Sequence, residues 1–143
     1  MDFKDTRDKL QVIITELSGA GQLINVVYGY QPPSVSFFPY AVIKLVSGSV
    51  DDRLTTLQNF TKMTFVIRVL LTTKNTLENE DLRLDIIDAI VAKLRTSSNV
   101  DTLGNTVEKF DIANITVYDT DSGGQPMVGF DVEVNAYKVN SIS

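Results

Sequence analysis

No cysteine, no histidine and no tryptophan occur among the 143 residues of this chain. Without cysteine there is no disulfide framework, no thiolate zinc site and no cysteine nucleophile. Without histidine the Ser-His-Asp and Cys-His constellations are excluded, together with the commonest general base and the usual zinc enzymes. Cations are in the minority. Thirteen Lys and Arg stand against 18 Asp and Glu, a net charge of −5, and no two basic residues are adjacent. Phosphate backbones are gripped by clustered cations, so this balance argues against a DNA- or RNA-binding domain. Apolar runs are a few residues long, where a membrane helix needs about 20. The charged N-terminal stretch lacks the apolar region of a signal peptide. The chain reads as a soluble product of the cytoplasm with no membrane partner. Asn59 and Asn114 each open an Asn-x-Thr triplet, which without a secretory route is a chance match.

What is present is ordinary globular material, 43% hydrophobic and 22% charged. This is one domain's worth of chain, residues 1–143. It is large enough to hide about two-thirds of its unfolded surface without covalent staples. Phe3, Leu10, Ile14 and Leu17 recur at heptad-like spacing with Ile13 beside them, and charges fill the other face. That predicts an amphipathic helix over 3–17, stopped by Ser18-Gly19-Ala20-Gly21. Residues 23–30 (LINVVYGY) read as a first strand, closed by Pro32 and Pro33. Residues 40–46 (YAVIKLV) read as a second, with Ser47-Gly48-Ser49 ending it or interrupting it with a bulge. Residues 51–57 are a loop or the outer part of a long hairpin, and Gln58-Asn59 suits a tight turn.

The clearest strand is 60–73. Met63, Phe65, Ile67, Val69 and Leu71 fall on one face, with Lys62, Thr64 and Arg68 on the other alongside Val66 and Leu70. Residues 77–94 predict a second helix, with acids at its start, Lys93 near its end, and a stripe of Leu82, Ile86, Ala89, Ile90 and Leu94. Residues 96–105 are a polar connection. Strands follow over 107–118 and 128–139, the latter burying Val128, Phe130, Val132, Val134 and Ala136, with DTDSGGQP (119–126) as the turn between them. The order α-β-β-β-α-β-β predicts an α+β fold. It is a mainly antiparallel sheet of about five strands, two helices packed on one face, and long hairpins extending from it.

The motifs favour bland readings. Gly19-Ala20-Gly21 follows a helix, where a dinucleotide loop follows a strand. Asp119-x-Asp121-x-Gly123-Gly124 opens like a calcium loop, but Phe130 stands where the bidentate Glu is needed. Asp81, Asp85 and Asp88 share a solvated helix face. Tyr28, Tyr30, Phe37, Phe38 and Tyr40 bracket the two prolines. They read as a packed corner or a subunit contact, with a peptide or carbohydrate platform as the other possibility. No residues assemble a catalytic constellation, a cofactor site or a metal site, so the chain reads as a non-enzyme.

Taken together, several segments carry a resemblance that spans nearly the whole chain. They are the opening helix with its Gly turn, the corner Gln31-Pro32-Pro33 and the run Pro39-Tyr40-Ala41-Val42-Ile43. The strand Phe65-Val66-Ile67-Arg68-Val69, the helix core Ile86-Ile87-Asp88-Ala89-Ile90 and the closing Gly129-Phe130-Asp131-Val132-Glu133-Val134 complete it. In order and size these elements resemble the tail terminator (tail completion) proteins of long-tailed bacteriophages. The resemblance implies a virion protein acting as a hexameric ring. Such a ring caps the last ring of the tail tube protein, stops its growth and meets the head-tail connector, while genomic DNA passes through its lumen unbound. It transfers architecture and role rather than individual residues. Asp51, Asp52, Asp119, Asp121, Asp131 and Glu133 are the candidates for an acidic lumen wall. The alternatives are another neck or head-closure ring protein, and a small-ligand or peptide-binding module built on the corner from Tyr28 to Tyr40.

Overall fold

A computed structural model describes residues 2–17, 23–30, 32, 38–51, 58–71, 77–95, 109–122 and 125–141. Helix α1 spans Asp2–Thr15 and is followed by strands β1 (Val26–Tyr28), β2 (Tyr40–Asp51) and β3 (Gln58–Leu70). Helix α2 (Leu77–Leu94) then leads to β4 (Lys109–Ser122) and β5 (Gln125–Ser141). The five strands form one open sheet in the order β1-β2-β3-β5-β4. Only the short β1–β2 pair is parallel; the other three pairs are antiparallel. The expected α+β architecture is therefore observed.

Alternation decides which face is dry. Ala41 and Ile43, Met63 to Val69 at every second position, Phe110, and Phe130 to Ala136 at every second position all join one buried cluster. The same cluster takes Leu10, Ile13 and Ile14 from α1 and Ile86, Ile90 and Leu94 from α2, so both helices lie on this face. Glu16 and Lys93 form an ion pair that ties the helices together. Helix α1 contacts β1 and β2, and α2 contacts β5. At Gly48 the sheet must stay free of a side chain. A Cβ there would sit 2.5 Å from Cε1 of Phe3, whose ring caps this end of the core.

The structure corrects several boundaries. Gln58 and Asn59 are not a turn but the first rungs of β3, opposite Ser141 and Asn140. Most of the expected 119–126 turn is strand, since Asp119 to Ser122 pair with Val128 to Gln125. Both changes have one cause. A partner strand long enough to satisfy the backbone extends the ladder into segments whose composition favours turns. Strand β1 is shorter than residues 23–30. Strand β2 passes through Ser47-Gly48-Ser49 by a bulge between Leu45 and Ser47 and runs on to Asp51. The expected helix stop at 18–21, the loop 52–57 and the connection 96–105 lie outside the described residues.

Two buried residues break the simple pattern. Thr6 occupies the turn of α1 between Phe3 and Leu10 and is fully buried. Arg83, 5% exposed, lies one turn before Ile86. Its guanidinium donates to the Gly129 carbonyl at 3.4 Å and pairs with Glu80.

Candidate functional site

The six acidic candidates do not converge. Asp51 is the last residue of β2, in register with Phe60 and through it with Val139 of β5. Asp119 and Asp121 lie on β4 opposite Val128 and Pro126, at the other end of the same strand. Thirteen residues of β5 separate Pro126 from Val139, roughly 40 Å of extended chain. Asp131 and Glu133 stand between these ends on the face away from the helices. Asp52 lies outside the described residues. The set is thus spread along the strands rather than gathered in a pocket.

Asp131 is also not a free charge. Arg68, directly opposite on β3, donates to both of its oxygens, Nε at 3.0 Å and Nη2 at 3.1 Å. The planar fork matches the carboxylate and fixes both side chains flat on the sheet. Glu133 faces Val66 on one side and Asn114 on the other. On α2, Asp81, Asp85 and Asp88 are exposed, as a solvated face requires. Among the described residues no three His, Cys, Asp or Glu side chains gather to hold a metal ion. No helix among them is long and apolar enough to cross a membrane.

The aromatic corner packs on itself. Tyr28 meets Tyr30 and Tyr40 edge-on, with centroids 5.9 and 6.2 Å apart, and Phe38 meets Tyr40 at 5.4 Å. Tyr40, Val42 and Leu70 form a second small core there, with Val26, Tyr28 and Phe38 against it. The Asn25 side chain donates to the Phe38 carbonyl, and the Asn25 backbone N–H donates to the Pro39 carbonyl at 2.8 Å. The Phe38–Pro39 peptide bond is cis. Most of the ring surface is spent on packing, and Tyr30 remains exposed. Phe37 lies outside the described residues.

The more informative geometry is at the edges of the sheet, which sequence reading located only in outline. Strand β1 covers β2 at residues 40–42 alone. Residues 43–51 therefore have no outer neighbour among the described residues. Among the described residues strand β4 forms the opposite edge along its whole length. Each edge exposes apolar side chains. Leu45, Val46 (54% exposed) and Val50 lie on β2, and Ile115 and Val117 (53% exposed) lie on β4. Each edge is also bulged, β2 between Leu45 and Ser47 and β4 between Ile112 and Asn114. The β4–β5 hairpin runs past β3. The last β3–β5 rung is Leu70 with Gly129, and Leu71 N–H donates to the Val128 carbonyl at 2.9 Å. Beyond it, among the described residues, 120–122 and 125–127 pair only with each other, an overhang of roughly 10 Å. The alternating pattern placed Ile115 and Val117 on a strand. Their exposure follows from β4 being an edge, which depends on strand order.

No protein-family model matches the chain, and a search of curated proteins finds no match.

Proposed function

We propose that this chain is a structural ring protein of the tail terminator kind. Six copies would cap a phage tail tube, end its growth and join it to the head connector. The observation that supports this reading is the open sheet with two long edges that no other described residue covers and that expose apolar side chains. Such edges are a hazard for a monomer and a natural joint for sheet extension between subunits. The strand directions suit a cyclic repeat. Strands β2 and β5 run one way and β3 and β4 the other. Setting β4 of one copy beside β2 of the next therefore continues the antiparallel alternation. A head-to-tail joint of this sort closes into a ring when its rotation closes.

Light scattering and negative-stain microscopy of the purified protein, alone and with tail tubes, test the proposal. Six copies of the 15.8 kDa chain give a ring of about 95 kDa, or a cap on tube ends. A protein that stays monomeric and ignores tubes overturns it.

The acidic wall belongs to the same proposal, with Asp131 discounted because Arg68 neutralises it. In a phage carrying Glu133→Lys, rings should still assemble while DNA ejection slows. Unchanged ejection kinetics would remove Glu133 from the lumen.

A further inference from the structure

The sheet face away from the helices carries an ordered set of polar side chains. Reading across β3, β5 and β4, one row consists of Lys62, Tyr137 and Lys109 in direct register. The ammonium of Lys62 lies 5.9 Å from the centre of the Tyr137 ring, and that of Lys109 lies 5.6 Å from it. The two lysines stand on strands separated by one strand, roughly 10 Å apart, and both lean toward the ring between them. Among the described residues neither ammonium is paired with a carboxylate.

Two of the acids on this face have partners close by. Arg68 is held by Asp131. In the row beside the lysines, Thr64 donates to Asn135 at 2.8 Å, and Asn135 turns its amide toward Asp111 at 3.5 Å. By register the face carries Lys44, Lys62, Arg68 and Lys109 against Asp51, Asp111, Asp131 and Glu133, an even balance on a chain whose net charge is −5. This side is thus less acidic than the chain as a whole, and two of its cations share one row and one ring. An aromatic face is a weak partner for an ammonium group, and an oxyanion is a strong one. Two ammonium groups drawn toward one ring also repel each other, and a bound anion relieves that repulsion.

We propose that the Lys62–Tyr137–Lys109 row is a binding site for a phosphate group. The two lysines supply the charge-assisted hydrogen bonds, and Tyr137 spaces and orients them. The site does not rest on the ring reading. The whole-chain charge obscures it, because net charge does not report how cations are distributed over a surface.

The test follows the lysine ε-methylene signals by NMR in the intact protein. It uses three titrants: sodium phosphate, sodium chloride at matched ionic strength, and a short DNA duplex. Phosphate should move the Lys62 and Lys109 signals and leave Lys4 and Lys9 in place, while chloride moves none of them selectively. Lys62→Gln and Lys109→Gln should each weaken phosphate binding about tenfold or more, the loss expected of one charge-assisted hydrogen bond, and the double variant should bind more weakly than either. Tyr137→Phe should retain binding. If duplex DNA moves the same two signals at lower phosphate concentration, the group recognised belongs to a nucleic-acid backbone. If inorganic phosphate alone does so, the ligand is a small phosphate. Equal shifts at all lysines, or an equal response to chloride, would overturn the site.

Discussion

Val46→Lys protein and Val117→Lys protein should each fail to form rings, yet the two mixed should give a particle of two chains, about 32 kDa against 15.8 kDa for one chain. The argument begins with exposure. Both side chains are more than half exposed, so a lysine at either place should change the stability of the single chain by no more than about 0.5 kcal/mol. At a joint between sheets the same lysine sits where another strand must lie, and edge lysines are a common means of preventing such pairing. In a head-to-tail joint the Val46→Lys copy keeps a sound β4 edge and the Val117→Lys copy keeps a sound β2 edge. One productive joint can form between them, and growth then stops at two blocked ends. A symmetric joint between two β2 edges would instead lose assembly on Val46→Lys alone and ignore Val117→Lys. Light scattering separates these outcomes. Rings that persist in both single variants would show that the joint lies elsewhere.

The largest loss of stability should come from Phe130→Ala. Phe130 is fully buried on β5, opposite Val69 on one side and Val117 on the other, inside the cluster that both helices cover. Truncating a buried Phe removes its transfer free energy and leaves a cavity, together about 3–5 kcal/mol. A domain of this size has about 5–15 kcal/mol in all, so Tm should fall by roughly 10 °C or more. Val12→Ala, on the exposed side of α1, should change Tm by no more than about 2 °C. Thermal unfolding followed by circular dichroism compares them. Equal melting of the two variants would contradict the placement of Phe130 in the core.

The elements most legible in the sequence are those whose own period is enough to define them. Residues 62–71 and 128–136 carry a period of two, broken in the first by Val66 and Leu70, and the structure buries the expected side of each. The second helix falls at Leu77–Leu94 because acids open it and a basic residue lies in its last turn. What escaped was set by neighbours. Gln58 and Asp119 to Ser122 are strand because β5 is long enough to pair with them. Arg83 is buried because Gly129 leaves a backbone carbonyl open to it beneath α2. Cross-strand relations are invisible to a one-dimensional pattern. Arg68 and Asp131 are 63 positions apart in the chain, and the Lys62–Tyr137–Lys109 row joins three separate strands. The wet faces were readable, but their partnerships required register.

The two bulges have a further consequence. Leu45, Phe65, Val134 and Ile112 form one row across four strands. The extra residue of β2, Val46, lies on one side of this row, and that of β4, Ala113, lies on the other. A crease therefore enters the sheet from each margin at nearly the same height. A straight strand from an unrelated chain could follow either margin for only a few rungs before its hydrogen-bonding groups fell out of step. The same crease that leaves the margins open to a partner of matching irregularity makes them poor seeds for fibrous stacking, which propagates through flat, regular and identical strands.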